Sequence, residues 1–224
     1  MATPNRRDFR TLTLQGALGA LVATPGAGAL RASPLGRPVG IQLYAVREEL
    51  RAEPQRTLHA IREIGFGEVE TAGFAGLSAA AFRALLDDAG LKCPSAHLQF
   101  DRADFGLAFE QAHTLGAQYA ASGSLRELVA SGAGMRQQSA GLPISGGMSL
   151  DEAHRTAELA NRIGEQARRA GLRYVYHNHD FEFATQSGGI GYDVLLSETD
   201  PALVQFEIDC GWMTLGGHDP REYF

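Results

Sequence analysis

The residues best suited to chemistry form one short segment, positions 176–183, which reads Tyr-His-Asn-His-Asp-Phe-Glu-Phe. It continues an apolar run from Leu172, and His177 and His179 would face the same side of a strand that extends through both of them. Further along the chain, a second apolar run ends at Asp209. Imidazole and carboxylate ligands without a thiolate suit a divalent manganese, cobalt, zinc or magnesium ion. The sequence therefore predicts a metal site with His177, His179 and Asp209 as ligands.

The ends of other predicted strands indicate a polar pocket around this site. Tyr44, Glu70 and His97 each close such a strand, and Trp212 lies just beyond the last one. Polar side chains beside a core are costly unless they are paired, so the pattern favours a pocket. We predict that these four residues contact the substrate. The alternatives are that Glu70 and His97 support the metal ligands or are hydrogen-bonded rim residues, and that Trp212 only packs.

The elements that must position these residues alternate between helices and short strands, without hairpin turns. Apolar runs predict six strands at 39–44, 68–71, 91–97, 118–122, 172–177 and 204–209. This alternation favours a parallel sheet, and the spacing of the units suits a (β/α)8 TIM barrel better than a doubly wound sheet. No glycine-rich dinucleotide fingerprint follows the first strand. In a barrel the active site lies at the carboxyl ends of the strands, where the candidate residues are.

Hydrophobic periodicity predicts the helices between these strands. The predicted buried faces are Leu58, Ile61 and Ile64; Phe82, Leu85, Leu86 and Ala89; and Ala153, Ala157, Ala160, Ile163 and Ala167. The last of these helices begins at Ser149, which has capping-box spacing to Glu152. Segment 123–148 is rich in Gly and Ser and too long for an ordinary connection, so we predict a mobile loop over the site.

The number of strands predicts an incomplete barrel. Only six strands precede Phe224, and Asp219 with Pro220 signals a further helix that has no room to finish. The sequence therefore predicts an α/β TIM-barrel-type domain that is truncated at its C-terminus after about six βα units.

The first 32 residues differ in character from the rest. Arg6 and Arg7 precede a weakly apolar stretch at 12–22 and then several small residues. This order is typical of a twin-arginine export signal rather than of a disordered basic tail, and the apolar stretch is too short to anchor the protein in a membrane. We therefore predict a signal peptide at 1–32, a barrel domain at 33–224 and a periplasmic location. The twin-arginine route carries folded proteins, so a metal would be loaded before export.

The charge balance argues against nucleic-acid binding. Residues 1–32 hold four of the 20 basic and one of the 26 acidic side chains, so the remaining domain has a net charge of −9. A phosphate backbone is not attracted to such a surface. Cys93 and Cys210 alone do not make a disulfide framework. The sequence leaves open whether the protein forms a homo-oligomer.

Five phrases of the domain resemble the sugar phosphate isomerase/epimerase family of xylose-isomerase-like TIM barrels, in particular its branch exported with twin-arginine signals. They are Gly-Ile-Gln-Leu-Tyr-Ala-Val-Arg at 40–47, Val-Glu-Thr-Ala-Gly at 69–73, Pro-Ser-Ala-His at 94–97, the segment 176–183, and Phe-Glu-Ile-Asp-Cys-Gly-Trp at 206–212. The histidine-rich phrase is specific to this branch, whereas the others are individually weak.

The resemblance implies a divalent metal at the mouth of the barrel, with Asp209 matching a family ligand. Family members often have Glu where this chain has His177, and their seventh and eighth strands supply a further His and Glu that would lie beyond Phe224. The implied reaction is metal-assisted proton transfer on a small-molecule sugar or sugar phosphate through an enediolate. Glu182 is the nearby carboxylate that we nominate as the base. Return of the proton to the opposite face gives epimerisation, and return to the next carbon gives isomerisation.

Two alternatives to a sugar isomerase or epimerase stay open. A related barrel would cleave 3-keto-glycosides as a hydrolase or lyase, which the periplasmic location favours. A degenerate barrel would bind a sugar without catalysis, which the missing strands favour. Endonuclease activity at abasic DNA, known for another branch of the superfamily, is disfavoured by the acidic balance.

Overall fold

The computed structural model describes residues 36, 38–101, 104–129 and 146–224. The predicted signal peptide at 1–32 lies outside the described residues, and so does most of the loop predicted at 123–148. In the part of the chain that is described, no helix has both the length and the apolar character needed to cross a membrane.

One parallel sheet of six strands organises the domain. In sheet order the strands are β1 (Gly40–Gln42), β2 (Glu68–Ala72), β3 (Lys92–His97), β4 (Tyr119–Ser122), β5 (Arg173–His177) and β6 (Val204–Glu207). All neighbouring strands are parallel, and their order in the sheet follows their order along the chain. All six predicted strands are confirmed, and so is the α/β architecture of the TIM-barrel type.

Helices lie between the strands and after β6, and their buried apolar side chains belong to the hydrophobic core. They are α1 (Arg47–Ala52), α2 (Pro54–Ile64), α3 (Ala79–Ala89), α4 (Gly106–Leu115), α5 (Arg126–Val129), α6 (Leu150–Arg169), α7 (Gly191–Glu198) and α8 (Cys210–Leu215). The predicted apolar faces are buried at positions such as Phe82, Leu86 and Ile163. The prediction for Ile64 was wrong, since this side chain is 63% exposed. Ile64 is the last residue of α2, and Gly65 turns the chain away there with a φ of 116°.

The start of α6 lies where the capping box predicts it. Ser149 Oγ accepts a hydrogen bond from the backbone N–H of Glu152 at 3.2 Å. The side chain of Glu152 does not return to the cap, as the full motif would require. Instead its Oε1 pairs with Arg126 Nε at 2.8 Å, which ties α6 to α5.

The connection from β5 to β6 contains a hairpin, whereas the sequence predicted only helices between the strands. A 3₁₀ turn at Phe181–Phe183 leads into a short antiparallel hairpin, in which Thr185–Gln186 pairs with Gly189–Ile190, and only then into α7. Gly188 and Gly189 both have positive φ and make the tight turn. Strands of two residues are too short to leave a periodic pattern, which is why the sequence did not reveal them.

Candidate functional site

One group of three potential metal ligands lies at the strand ends among the described residues. One ligand atom each from His97, His177 and Glu207 lies within 4.8 Å of the other two. These residues are the last of β3, β5 and β6. His177 and Glu207 are direct partners in the register of β5 and β6. The fold therefore brings two imidazoles and a carboxylate together at the predicted end of the sheet.

The approach of His97 to Glu207 depends on the curvature of the sheet. In a flat sheet, β3 and β6 would be three strand spacings of about 4.8 Å, or about 14 Å, apart. Yet His97 Nε2 is 3.7 Å from Glu207 Oε2. A sheet that curves around its interior, as in a barrel, explains how side chains of non-adjacent strands meet.

The spacing of the three side chains fits a divalent cation. His177 Nδ1 is 3.5 Å from Glu207 Oε1. This nitrogen and His97 Nε2 are both buried, and they lie 3.2–3.7 Å from carboxylate oxygens without the geometry of a hydrogen bond to any described residue. Buried polar atoms without partners are rare and call for an explanation. Ligands about 2.1 Å from a tetrahedral ion lie about 3.4 Å from one another. His177 Nδ1 and His97 Nε2 lie 3.5 and 3.7 Å from the two different oxygens of Glu207.

Two more carboxylates extend this group on either side. Glu70 Oε1 is 3.2 Å from His97 Nε2 and accepts a hydrogen bond from Gln42 Nε2 at 2.7 Å. Asp209 Oδ2 is 3.6 Å from His177 Nε2. Carboxylates and imidazoles therefore alternate along five residues. We call this set the strand-end row; its order is Glu70, His97, Glu207, His177 and Asp209.

The charges in the strand-end row reinforce one another. Burial raises the pKa of Glu207, but the imidazoles of His177 and His97 outweigh burial and hold that pKa well below its usual range. Glu207 is therefore ionised at neutral pH. Burial lowers the pKa of His97, and Glu207 and Glu70 together outweigh it, so that the pKa is raised. A metal bound by His97 would have to displace the proton of this imidazole, so such binding would weaken as the pH falls.

His179, a predicted metal ligand, lies beside the row rather than between its carboxylates. Its ring centroid is 5.2 Å from that of His177 and 5.6 Å from that of Trp212. It also stacks on Phe181 at 6.0 Å with an interplanar angle of 24°. Burial, followed by the charges of His177 and His97, lowers the pKa of His179 to about 3, so the ring is neutral at physiological pH. Its Nδ1 is buried and has no hydrogen-bond partner among the residues described.

Asp209 reaches the row from the start of a helix rather than from a strand. Its Oδ1 accepts a hydrogen bond from the backbone N–H of Trp212 at 2.9 Å and so caps α8, while its Oδ2 faces His177. The fully buried amide of Asn178 binds the backbone of Asp209 in both directions, at 2.8 and 3.1 Å. These two hydrogen bonds fix Asp209 beside His177.

Glu182, the predicted base, is fully buried and satisfied by the protein itself. Its Oε1 accepts a hydrogen bond from the Tyr176 hydroxyl at 2.8 Å, and its Oε2 accepts one from the backbone N–H of His179 at 2.9 Å. Burial raises the pKa of Glu182 to about 7. These contacts hold the turn after β5 in place, and a role of Glu182 in proton transfer stays a prediction.

The outcome for the remaining predicted residues differs from one to the next. Glu70 and His97 lie in the row, and Trp212 packs beside it. Tyr44 is not the last residue of β1, because the strand ends at Gln42 and Tyr44 lies in a 3₁₀ turn under the guanidinium of Arg47, 4.4 Å from the ring centre. None of these observations tests the substrate contacts that we predicted.

Sequence reasoning missed two residues of this site, Glu207 and Gln42. Glu207 is two positions before Asp209, so the two-residue period of a strand already placed it on the same side. Gln42 is likewise two positions before Tyr44. In both cases the later residue was taken as the end of the strand, whereas β6 and β1 end at the earlier one.

Comparison with known proteins supports the fold over the whole domain and a sequence relationship over part of it. No model of a known protein family matches the chain. A stretch of 74 residues is 36% identical to the inosose dehydratase of Lacticaseibacillus casei. This stretch is 33% of the present chain and only 24% of the length of that protein.

Two solved structures show the same architecture. A sugar phosphate isomerase/epimerase from Parabacteroides distasonis ATCC 8503 has a TM-score of 0.63 and 22% identity, over 90% of this chain and 75% of that one. A xylose isomerase-like TIM barrel protein from Mycobacterium smegmatis, in complex with magnesium, has a TM-score of 0.52 and 16% identity, over 79% of this chain and 65% of that one. At these identities the likeness establishes the TIM-barrel fold, whereas function must be argued from the site.

Proposed function

We propose that this protein is a metal-dependent enzyme that isomerises or epimerises a small sugar by proton transfer through an enediolate. The observation that carries the proposal is the group of His97, His177 and Glu207, in which two buried imidazole nitrogens without hydrogen-bond partners face one ionised carboxylate. This group lies at the strand ends of a TIM-barrel-type sheet, which is where barrels carry their active sites.

These three residues would hold the metal ion. Two imidazoles and a carboxylate suit manganese, cobalt, zinc or magnesium, in line with the sequence prediction of a divalent ion. When bound there, the ion supplies Lewis-acid polarisation of a carbonyl, which makes the neighbouring proton easier to remove. A barrel of similar fold was solved in complex with magnesium, which supports a divalent ion as the cofactor.

Glu70 and Asp209 are the side chains that we propose for removing and returning the proton. They lie at opposite ends of the strand-end row. Each has one oxygen held by a donor, the amide of Gln42 for Glu70 and the backbone N–H of Trp212 for Asp209. Two fixed carboxylates on either side of a substrate suit removal of a proton from one face and its return to the other.

A dehydratase is the second candidate, and the sequence match to inosose dehydratase favours it. Elimination of water from a hydroxyketone begins with removal of the same kind of proton, so the same carboxylates would serve. Cleavage of a 3-keto-glycoside also begins in this way. The three activities differ in product: an epimer or isomer, an unsaturated ketone, or a released sugar.

The test is turnover by the full-length protein on ketoses, their phosphates, inososes and 3-keto-glycosides, with manganese, cobalt, zinc or magnesium added in turn. We expect metal-stimulated formation of one of the three products, and exchange of the α-proton with deuterium from solvent. The variant H177A should lose this activity. The matched control H154A should keep it, because His154 lies on the outer helix α6 and pairs with Glu198.

Two outcomes would oppose the proposal. Sugar binding without metal dependence and without proton exchange would point to a degenerate sugar-binding barrel. Full activity of H177A would show that the strand-end row does not take part in the reaction.

We also propose export to the periplasm by the twin-arginine route, on the order of basic, apolar and small residues in 1–32. Fusion of this segment to a reporter that is active only after folded export would test the proposal. Replacement of Arg6 and Arg7 by lysine should abolish export.

A further inference from the structure

Arg126, the first residue of α5, links three parts of the chain around the turn that follows β5. Its Nη1 donates to the carbonyl of Gly146 and its Nη2 to that of Gly147, both at 2.9 Å. Its Nε pairs with Glu152 Oε1 at 2.8 Å. Its guanidinium lies over the ring of Phe181, 4.9 Å from the ring centre. Each guanidinium nitrogen thus has a partner within the protein.

The segment that Arg126 holds is packed tightly onto the turn after β5. The backbone N–H of Met148 donates to the carbonyl of Phe181 at 2.9 Å. A Cβ at Gly147 would lie 2.4 Å from the Cβ of Ala184, so no side chain fits there. Arg126 and Met148 therefore contact Phe181 directly, one at its ring and the other at its carbonyl, and Gly147 packs closely against the neighbouring Ala184.

Phe181 in turn supports the aromatic residues beside the strand-end row. Its ring stacks on His179, and His179 contacts Trp212 and the ligand candidate His177. We call His179, Phe181 and Trp212 the side wall. A displacement of Phe181 would be passed by ring contact to His179 and, through His179, to Trp212.

We propose that Arg126 is a positioning residue that sets the side wall of the substrate pocket through Phe181, without touching substrate or metal. Its role in sugar binding rests on the proposed function, whereas its control of the side wall does not. An anion-binding role is a poorer explanation, because its hydrogen bonds and its ion pair to Glu152 already use all three nitrogens. An arginine suits this role because its planar fork binds two carbonyls while its face covers an aromatic ring.

The experiment compares R126M and R126K with the control R169M in the full-length protein. Arg169 forms an exposed pair with Glu165 on α6, so its loss removes a charge without touching the side wall. Trp212 is the only tryptophan of the chain, so its fluorescence reports the side wall without any substrate. Thermal unfolding shows whether each variant is folded, and manganese titration shows whether the ligand group is intact.

In R126M we expect Trp212 emission at longer wavelength and unchanged manganese affinity. With a sugar that the wild type turns over, KM should rise roughly tenfold while kcat changes by less than about threefold. R126K should show smaller changes in Trp212 emission and in KM than R126M, and R169M should match the wild type. If the wild type has no turnover, the proposed function fails while the fluorescence comparison still tests the side wall.

Unchanged Trp212 emission in a folded R126M would overturn the proposal, and so would an equal loss of manganese affinity and kcat, which would place Arg126 with the metal ligands. If R126M does not fold, F181L breaks the same link while leaving the contacts of Arg126 to Gly146, Gly147 and Glu152. A folded F181L with wild-type emission would equally overturn it.

Discussion

Replacing Glu207 by glutamine should decide between the ligand group that we propose from the structure and the one predicted from the sequence. The substitution keeps the shape of the side chain but removes the one carboxylate that faces both His97 and His177. Loss of a group that only supports a ligand costs roughly 10- to 100-fold in metal affinity. Loss of a ligand that supplies the negative charge of the group should lower the metal affinity at least about 100-fold, or by about 2.8 kcal/mol.

Isothermal titration with manganese or cobalt at pH 7.5 measures this change directly. The matched control is E198Q, because Glu198 also pairs with an imidazole, that of His154, but on the protein surface. We expect E198Q to bind like the wild type. Titrations at pH 6 and pH 8 add a second measurement. The wild type should bind more weakly at pH 6, because the raised pKa of His97 lets a proton compete with the metal.

A pair of histidine variants decides between the two ligand sets. If His97, His177 and Glu207 hold the metal, H97A should lose it and H179A should keep most of it. If the sequence prediction of His177, His179 and Asp209 is right, the reverse should be seen. Wild-type affinity of E207Q would refute the reasoning from the strand-end group, whatever the histidine variants show.

Three further predictions concern stability. The pKa of Glu182 is raised from 4.5 to about 7, so its contribution to the free energy of unfolding should be complete below pH 4.5 and lost as the pH rises through 7, by up to roughly 3 kcal/mol. Urea unfolding of E182Q between pH 5 and 8 should lack this pH dependence. A pH profile of E182Q parallel to that of the wild type would contradict the prediction. S149A removes the N-cap of α6 and should lower the free energy of unfolding by about 1 kcal/mol, whereas an unchanged urea midpoint would show that the cap contributes nothing. G164A should lower the free energy of unfolding by about 1–3 kcal/mol, because the new Cβ would lie 2.4 Å from the backbone oxygen of Leu203. In the control G67A the new Cβ meets nothing closer than 3.5 Å, so G67A should unfold at a higher temperature than G164A.

Local patterns predicted the scaffold because they depend on near neighbours along the chain. Alternating apolar strands and helix faces predicted all six strands of the sheet, and Ser149 predicted the start of α6. The predictions failed where local signals were weak. The hairpin at 185–190 is too short to show a period, and Ile64 continued a helix period just where Gly65 ended the helix.

The site was predicted less completely, because it depends on contacts between strands that are distant in sequence. Polar strand ends identified His97, His177 and Asp209 as candidates, but no pattern along the chain says which of them meet. The sequence grouped His177 with His179 because they are two residues apart. In the structure the side chain of His177 lies between the carboxylates of Glu207 and Asp209, and His179 packs against aromatic rings.

The curvature of the sheet is the physical property that completes the group. His177 and Glu207 would be neighbours in any parallel sheet with this register, flat or curved. His97 joins them only because the sheet bends, which replaces a separation of about 14 Å along a flat sheet by a contact across the interior. The metal affinity of the group should therefore depend on the packing that maintains the bend. A substitution beneath the sheet that relaxes the curvature would weaken binding through His97 first and leave the pair of His177 and Glu207 in place.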